Sequence, residues 1–454
     1  MNISFDKKFI FFLLICLTIY FQGILRLPVM DRDEARFASA SKTMLIERDY
    51  IDIKMVDEKR YKKPIGIYWS QTFANKLVGS FPYDKIWVYR LPSLLGIFTC
   101  LILIFLFIKK IENSTVAFLT VFLLVSSILT ISEAHQSKTD GLLFLFVSLC
   151  NLIIYKLIHT QKLENYEKLT FWIALAIGIL IKGPIILIFT ILPLFFFSLI
   201  KKKNFLKSVW STFGFLLFIS ISVPWFILIN IKSGGIFWYE SIGNDLFEKV
   251  KSGKESHGFP PGYYSLLLLL FFWPGCIFLF NLFKDIKNNF RKMVNDDNFS
   301  FYLIISFLCP FILFEMIPTK LPHYVYPSYL PLSILVSKNI NLNNFNSKTI
   351  DYCSIPLLIF PLTIIALITF SSLQFSKIDL NCMIIIFSFL FFTLFLLWIR
   401  IKGRVKDLII FCGVFQTFTY LVLIFFLIPR LESLWISEKI NNIITKHEQS
   451  VDKI

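Results

Sequence analysis

Long apolar runs, set one after another and divided by polar turns, constrain this chain more than any other feature. Runs of roughly 17 to 25 apolar residues match the hydrocarbon thickness of a bilayer and read as spanning helices. They fall at 9–27, 87–108, 115–131, 141–158, 169–181, 184–200, 209–230, 263–283, 299–317, 324–338, 352–372, 381–401 and 407–428, which makes about 13 helices. Of 454 residues, 56% are hydrophobic and only 17% charged, more apolar surface than a water-soluble domain of this size can hide. The sequence therefore predicts an all-α, polytopic integral membrane protein.

A formal net charge of +16 invites a nucleic-acid reading, which the positions of the charges oppose. Lysine and arginine cluster at the ends of apolar runs: Lys7-Lys8, Lys109-Lys110, Lys201 to Lys203, Lys284 to Lys292 and Arg400 to Lys406. Such clusters are retained on the cytoplasmic side and set orientation, so the charge reads as topology and headgroup contact. With the amino end inside and the spans alternating, every one of these clusters is cytoplasmic. The first run follows two lysines and is too long for the apolar core of a cleaved signal, so it is read as an uncleaved span. The eight cysteines fall mostly inside apolar runs without metal-like spacing and behave as small hydrophobes.

The same alternation puts 28–86, 132–140, the Lys182-Gly183-Pro184 turn, 231–262, 318–323, 373–380 and the tail 429–454 on the outer side. The first of these loops is long and rich in basic residues. Long loops cross regardless of charge, and the cations in this one suit an anionic ligand. Glu34 to Glu47 has few helix breakers and reads as a helix lying along the membrane. A second begins near Lys63-Pro64, where proline suits an early helical position and the following Tyr68 and Trp69 suit the headgroup layer.

Ionisable side chains from distant parts of the chain gather on that outer face. They are Asp33, Glu34, Arg36 and Lys63 in the first loop, then Glu133, His135, Lys138 and Asp140, then Lys182, then Glu255 and His257, then Lys320 and His323 beside Tyr324. Charges at membrane depth are retained for function or in pairs, so this grouping predicts a cleft at the outer interface. A carboxylate beside several cations suits group transfer from a phosphate. The cations neutralise the leaving group, and the carboxylate takes a proton from the incoming hydroxyl. One base suffices for direct attack with inversion.

Several of these segments carry a family resemblance. Asp33-Glu34-Ala35-Arg36-Phe37-Ala38, Lys63-Pro64 to Trp69, Lys138-Thr139-Asp140 and Lys182-Gly183-Pro184 resemble the bacterial lipid A aminoarabinose transferases. They also resemble the wider polyprenyl-phosphate-dependent glycosyltransferases, protein O-mannosyltransferases included. Glu255-Ser256-His257-Gly258, Pro260-Pro261-Gly262-Tyr263-Tyr264 and Lys320-Leu321-Pro322-His323-Tyr324 extend the likeness to about residue 340. The resemblance implies a GT-C fold with interfacial helices in its first periplasmic loop. It assigns residues 1–340 to the catalytic membrane core, with the loops 28–86, 132–140, 231–262 and 318–323 periplasmic. Residues 341–428 then form C-terminal spans and 429–454 a short periplasmic tail.

It further implies Asp33, Glu34 and Asp140 as catalytic carboxylates. Lys63, Lys182, Arg36, Lys320 and Tyr324 are implied at the donor phosphate, with Glu255 and His257 as substrate or metal contacts. Some of these transferases have a zinc-binding glutamate just before the lysine, where this chain has Lys62, so no metal or other cofactor is expected to be required. The expected partners are a polyprenyl-phosphate-sugar donor of the undecaprenyl phosphate type, membrane lipids, and a lipid A, glycan or protein acceptor. The expected location is the bacterial inner membrane. The competing class is a transporter of an anionic or lipid-linked solute, which predicts related halves and broken helices at the midplane. A non-catalytic scaffold is a third.

Overall fold

The computed structural model describes residues 3–30, 32–251, 258–340, 350–375, 379–431, 440 and 443. They divide into two compact units, one of Met1–Ile24 with Asp31–Ile340 and one of Leu25–Met30 with Asn341–Ile454. Among the described residues, eight helices are long and apolar enough to cross a bilayer, or ten when two bent pairs each count as one span. Large apolar side chains such as Phe11, Leu14, Phe213 and Leu216 stand exposed, as lipid tolerates and water does not. The chain is a multi-pass membrane protein.

That measure does not reach the expected 13, for local reasons. The run at 115–131 is bent by 65° where Ser127 turns extended, ends one helix and caps the next through its hydroxyl and Thr130 N at 3.3 Å. The run at 184–200 breaks at Thr190 into Ile185–Phe189 and Ile191–Ile200. The stretch at 263–283 bends by 113°, and its second arm runs on to Asp296 as a charged, amphipathic helix. Only Tyr329–Asn339 of the tenth run is α-helical; Pro322–Ser328 before it is a 3₁₀ turn.

α1 (Ile3–Arg26) leads into the first long polar loop, which folds rather than wanders. There α2 (Arg32–Glu47) and α3 (Gly66–Val78) are helices where the sequence predicts two. The sequence did not anticipate the small antiparallel hairpin between them, β1 (Lys54–Met55) paired with β2 (Glu58–Lys59), because neither strand shows apolar alternation. Next come α4 (Ile86–Ile111), α5 (Ser114–Ser126), α6 (Ile128–Ala134), α7 (Thr139–Thr160) and α8 (Asn165–Lys182). α7 packs between α4 and α8, and α8 packs in turn on the helix Thr212–Ser233.

The loop is pinned to this bundle by its own apolar residues. Phe37, Ala40, Met44, Ile53, Tyr61, Ile67 and Tyr68 form one buried cluster with Leu180, Trp225, Ile229 and Phe237. The indole of Trp225 donates to Ile51 O at 3.1 Å, and Ser41 bonds Gln71 at 2.6 Å. Burial of that many large side chains offsets the entropy of ordering a long loop.

Gly66 marks the tightest contact. A Cβ there would lie 2.8 Å from the carbonyl carbon and oxygen of Leu180. Gly66→Ala is expected to push α3 off the end of α8 and to destabilise the protein by about 1–3 kcal/mol. The check is the melting temperature in detergent; an unchanged value would show that the two helices do not need this approach.

In the second unit, Phe389 and Phe392 pack against Phe415 and Phe418, and Arg430 holds Asp379 at the start of the helix Leu380–Ile401. The guanidinium of Arg26 sits over the ring of Phe425 at 4.7 Å.

Candidate active site

A cavity of about 410 Å³ opens in the first unit, lined by α2, the segment before α3, the amino end of α7, the α8 turn and the stretches 226–249 and 314–327. These are the segments that alternation of the spans assigns to one face. Its wall is divided. Charged groups from Asp33, Arg60, Lys62, Lys63, Lys138, Asp140, Lys182, Asp245 and Lys249 line one part. Leu143, Ile179, Ile185, Ile188, Phe189, Phe226, Phe237 and Phe314 line the rest.

Asp33 lies in the first turn of α2, where acids favour a helix start. Its side chain is half exposed, with Arg36 at 3.4 Å and Arg60 at 3.6 Å. Arg60 in turn lies over the ring of Phe37 at 5.4 Å. A carboxylate fixed by two guanidiniums yet open to solvent can meet an incoming hydroxyl. Arg36 reaches the cavity through Asp33 and is not itself part of the lining.

Glu34, one residue on, points the other way. It is fully buried, taking Arg90 Nε at 2.7 Å and Arg90 Nη2 at 2.9 Å, with Ser137 N donating at 3.0 Å. Arg90 also donates to Ile24 O at 3.0 Å. The expected grouping of Glu34 with the catalytic carboxylates does not match this geometry: neighbours on a helix sit about 100° apart, so one faces the cavity and the other the bundle. Glu34 ties α2 to α4 and to the turn before α7. Glu34→Gln leaves a buried guanidinium without its counter-charge and is expected to cost about 3–5 kcal/mol. Thermal unfolding in detergent reads the loss; a stable protein that is merely inactive would return Glu34 to the chemistry.

Asp140 opens α7, where Lys138 precedes it without capping the helix by its side chain. The carboxylate pairs with Lys182, lies 3.9 Å from His323 Nε2 and accepts from the Thr139 hydroxyl at 3.1 Å. Lys182 ends α8, and its ammonium stands 5.4 Å from the ring centre of Tyr324, another lining residue. The chain can turn so sharply after Lys182 because Gly183 takes φ 68° and ψ −149°, a conformation open in practice to glycine alone.

Lys63 sits just before α3, whose first turn has no side-chain cap. It bonds Asp245 at 2.5 Å, and Lys249 reaches the same carboxylate at 2.7 Å. Burial opposes ionisation of Asp245, yet the ammoniums of Lys63 and Lys249 outweigh it and bring its carboxyl down to about 2. Burial likewise lowers the Lys63 ammonium, against the pull of Asp245.

Two expectations end elsewhere. Lys320 is buried below the cavity lining and donates to the carbonyls of Phe314, Glu315 and Ile317 at 3.2, 2.5 and 2.7 Å. It closes the carboxyl end of the helix Asn298–Met316, so its ammonium is spent on backbone rather than turned to the cavity. Glu255 and His257 lie outside the described residues. Among the described residues, no three His, Cys, Asp or Glu side chains converge as a metal set.

Asp245, Arg60 and Arg90 escaped sequence reasoning, which noted Lys62 only as the departure from a zinc-binding glutamate. Arg90 carried a signal, a charge near the start of an apolar run. Asp245 carried a weaker one, its i,i+4 spacing to Lys249.

Residues 62–228 match a family model described as dolichyl-phosphate-mannose-protein mannosyltransferase. The ArnT of Cupriavidus metallidurans, solved bound to undecaprenyl phosphate, superposes with a TM-score of 0.75 at 17% identity, covering 93% of this chain and 77% of that one. The chain has the GT-C fold. Among relatives, an undecaprenyl phosphate-alpha-4-amino-4-deoxy-L-arabinose arabinosyl transferase of Proteus mirabilis is 24% identical over 67% of this chain and 54% of its own length. One from Wigglesworthia glossinidia brevipalpis is 26% identical over 70% of this chain and 55% of its own. This GT-C chain thus spans about half the length of the curated relatives it matches.

Proposed function

We propose that this GT-C protein is a glycosyltransferase of the bacterial inner membrane. It moves a sugar from a polyprenyl-phosphate carrier, of the undecaprenyl phosphate kind, to a lipid A, envelope glycan or protein acceptor on the periplasmic side. The observation that carries this reading is the divided cavity: Lys63 from the segment before α3 and Lys182 from the end of α8 line it together with a long apolar wall and a half-exposed Asp33. A lipid-linked phosphate needs both environments at once, and the names of the relatives supply the reaction class.

Lys63, Lys182 and Tyr324 would hold the carrier phosphate. Asp33 takes the proton of the acceptor hydroxyl as its oxygen attacks the anomeric carbon from the face opposite the phosphate. The bond from that carbon to the phosphate oxygen breaks, the configuration inverts, and the carrier phosphate leaves with the added negative charge, which the ammoniums stabilise. Asp140 orients Lys182 and His323, and Arg36 with Arg60 orients Asp33. Asp245 balances Lys63 until a phosphate takes its place.

The test is transfer by the purified protein in lipid nanodiscs from a defined polyprenyl-phosphate sugar. In parallel, lipid A, core glycan and glycoprotein masses are compared between a gene deletion and its parent. A sugar-sized mass loss in one class names sugar and acceptor together; unchanged masses in all three would remove this reading. Impermeant labelling of a cysteine at position 319, with position 202 as the inside control, tests the side of the membrane.

A further inference from the structure

The helix Leu279–Asp296, beyond the 113° bend, contributes nothing to the cavity. It ends just before the span Asn298–Met316, and the other end of that span supplies Phe314 to the cavity wall. At about 1.5 Å per residue the two places lie about 25 Å apart. One side of the helix packs on the protein: Leu279 and Leu282 are buried, and the Lys201 ammonium donates to Val294 O in its last turn. The rest is open. Phe283 is 52% and Phe290 47% exposed, and Lys284, Lys287, Arg291 and Lys292 are exposed as well. Among the described residues, none of these four cations has an ion pair.

The side chains are sorted around the helix. Counted from Leu279 at about 100° per residue, Phe290, Phe283 and Phe280 fall between about 20° and about 100°. Lys287, Arg291 and Lys284 follow at about 80° to about 140°, whereas Asp285 and Asp296 lie at about 250°, on the other flank with Lys292. Rings beside an all-basic flank suit a helix lying in a bilayer surface, with the rings at the acyl boundary and the cations at phosphate. Nucleic acid or an acidic soluble protein would satisfy the cations and leave the phenylalanines in water. A zwitterionic lipid would cover the phenylalanines but offers three unpaired cations no net charge.

We propose that this face of Leu279–Asp296 docks on anionic phospholipid. Lys284, Lys287 and Arg291 meet the headgroup phosphates, and Phe283 and Phe290 enter the acyl layer. The surface lies at the far end of the span Asn298–Met316 from the cavity, so it is separate from the carrier site.

The experiment is photo-crosslinking of the full chain in phosphatidylcholine nanodiscs that carry a trace of a lipid probe. The probes are phosphatidylglycerol and phosphatidylcholine with the same photoactivatable acyl chain, so they differ only in headgroup. Crosslinks are mapped by peptide mass to residues 279–296. Each cation beside an anionic surface contributes about fivefold, so at low salt the phosphatidylglycerol probe should label this peptide about tenfold or more above the other. Added salt should narrow that ratio. Combining Lys284→Gln, Lys287→Gln and Arg291→Gln should bring it close to one. Combining Lys7→Gln, Lys8→Gln and Lys110→Gln removes as much charge from other span ends and should leave it high. The salt series on the unaltered protein stands alone if the first combination fails to fold. Equal labelling by both probes would overturn the proposal. If neither probe labels the peptide, the helix does not lie in lipid, the proposal fails, and the cations are left to a soluble acidic partner. The readout is confined to one peptide, so either result leaves the donor reading untouched.

Discussion

Asp33→Asn is expected to lower sugar transfer by about 100- to 10,000-fold, the usual contribution of a positioned general base. The protein should still insert, melt near the parent temperature and bind the donor. Those controls are available because of where Asp33 sits. Its side chain is 49% exposed, and its two guanidinium contacts are at 3.4 and 3.6 Å, longer than a tight charge-assisted bond. An amide of the same shape can remain there without a buried charge being stranded. Glu34→Gln is the contrast, since it removes the counter-charge of a fully buried arginine. A purified Asp33→Asn protein that transfers at near-parent rates would reduce Asp33 to a helix-start residue and place the base elsewhere.

The Lys63→Met and Lys182→Met pair is expected to have the next largest effect, on the donor side. A hydrogen bond to a charged group contributes about 1.5–3 kcal/mol, so each single variant should weaken donor binding by roughly 10- to 100-fold. The double variant should lose more than either. The effects need not multiply, because Lys63 and Lys182 face one cavity and their carboxylate partners compete for the same charges. Binding of free undecaprenyl phosphate and transfer from a defined donor, measured together, separate lost affinity from lost chemistry. If the double variant binds and uses the donor like the parent, the phosphate lies among Arg60, Lys62 and Lys138. Lys320 does not join that group, because three backbone carbonyls already occupy its ammonium.

The sequence alone determined the fold class, because a bilayer imposes its thickness on every segment that crosses it and its charge asymmetry on every turn. Long runs and lysine clusters are local properties, readable without knowing which helix packs on which. The two helices of the first loop were legible for a similar reason: acids at the start of α2 and Lys63-Pro64 just before α3 are signals written within a few residues. Asp33, Lys63, Asp140 and Lys182 were legible as ionisable groups stranded on one face.

What the tertiary structure decided was the partnership among charges. Asp33 and Glu34 are adjacent and chemically alike, and only the approach of α4 turns one into the counter-ion of Arg90 while the other stays at the cavity rim. Asp245 is 182 positions from Lys63, so no spacing in the chain could join them. Lys320 lies in an ionisable motif, but the helix end above it claims its ammonium. The count of 13 spans is not confirmed for a related reason. A run's hydrophobicity is additive along the chain, whereas a bend at Ser127 or a break at Thr190 depends on which backbone groups find partners across the bundle.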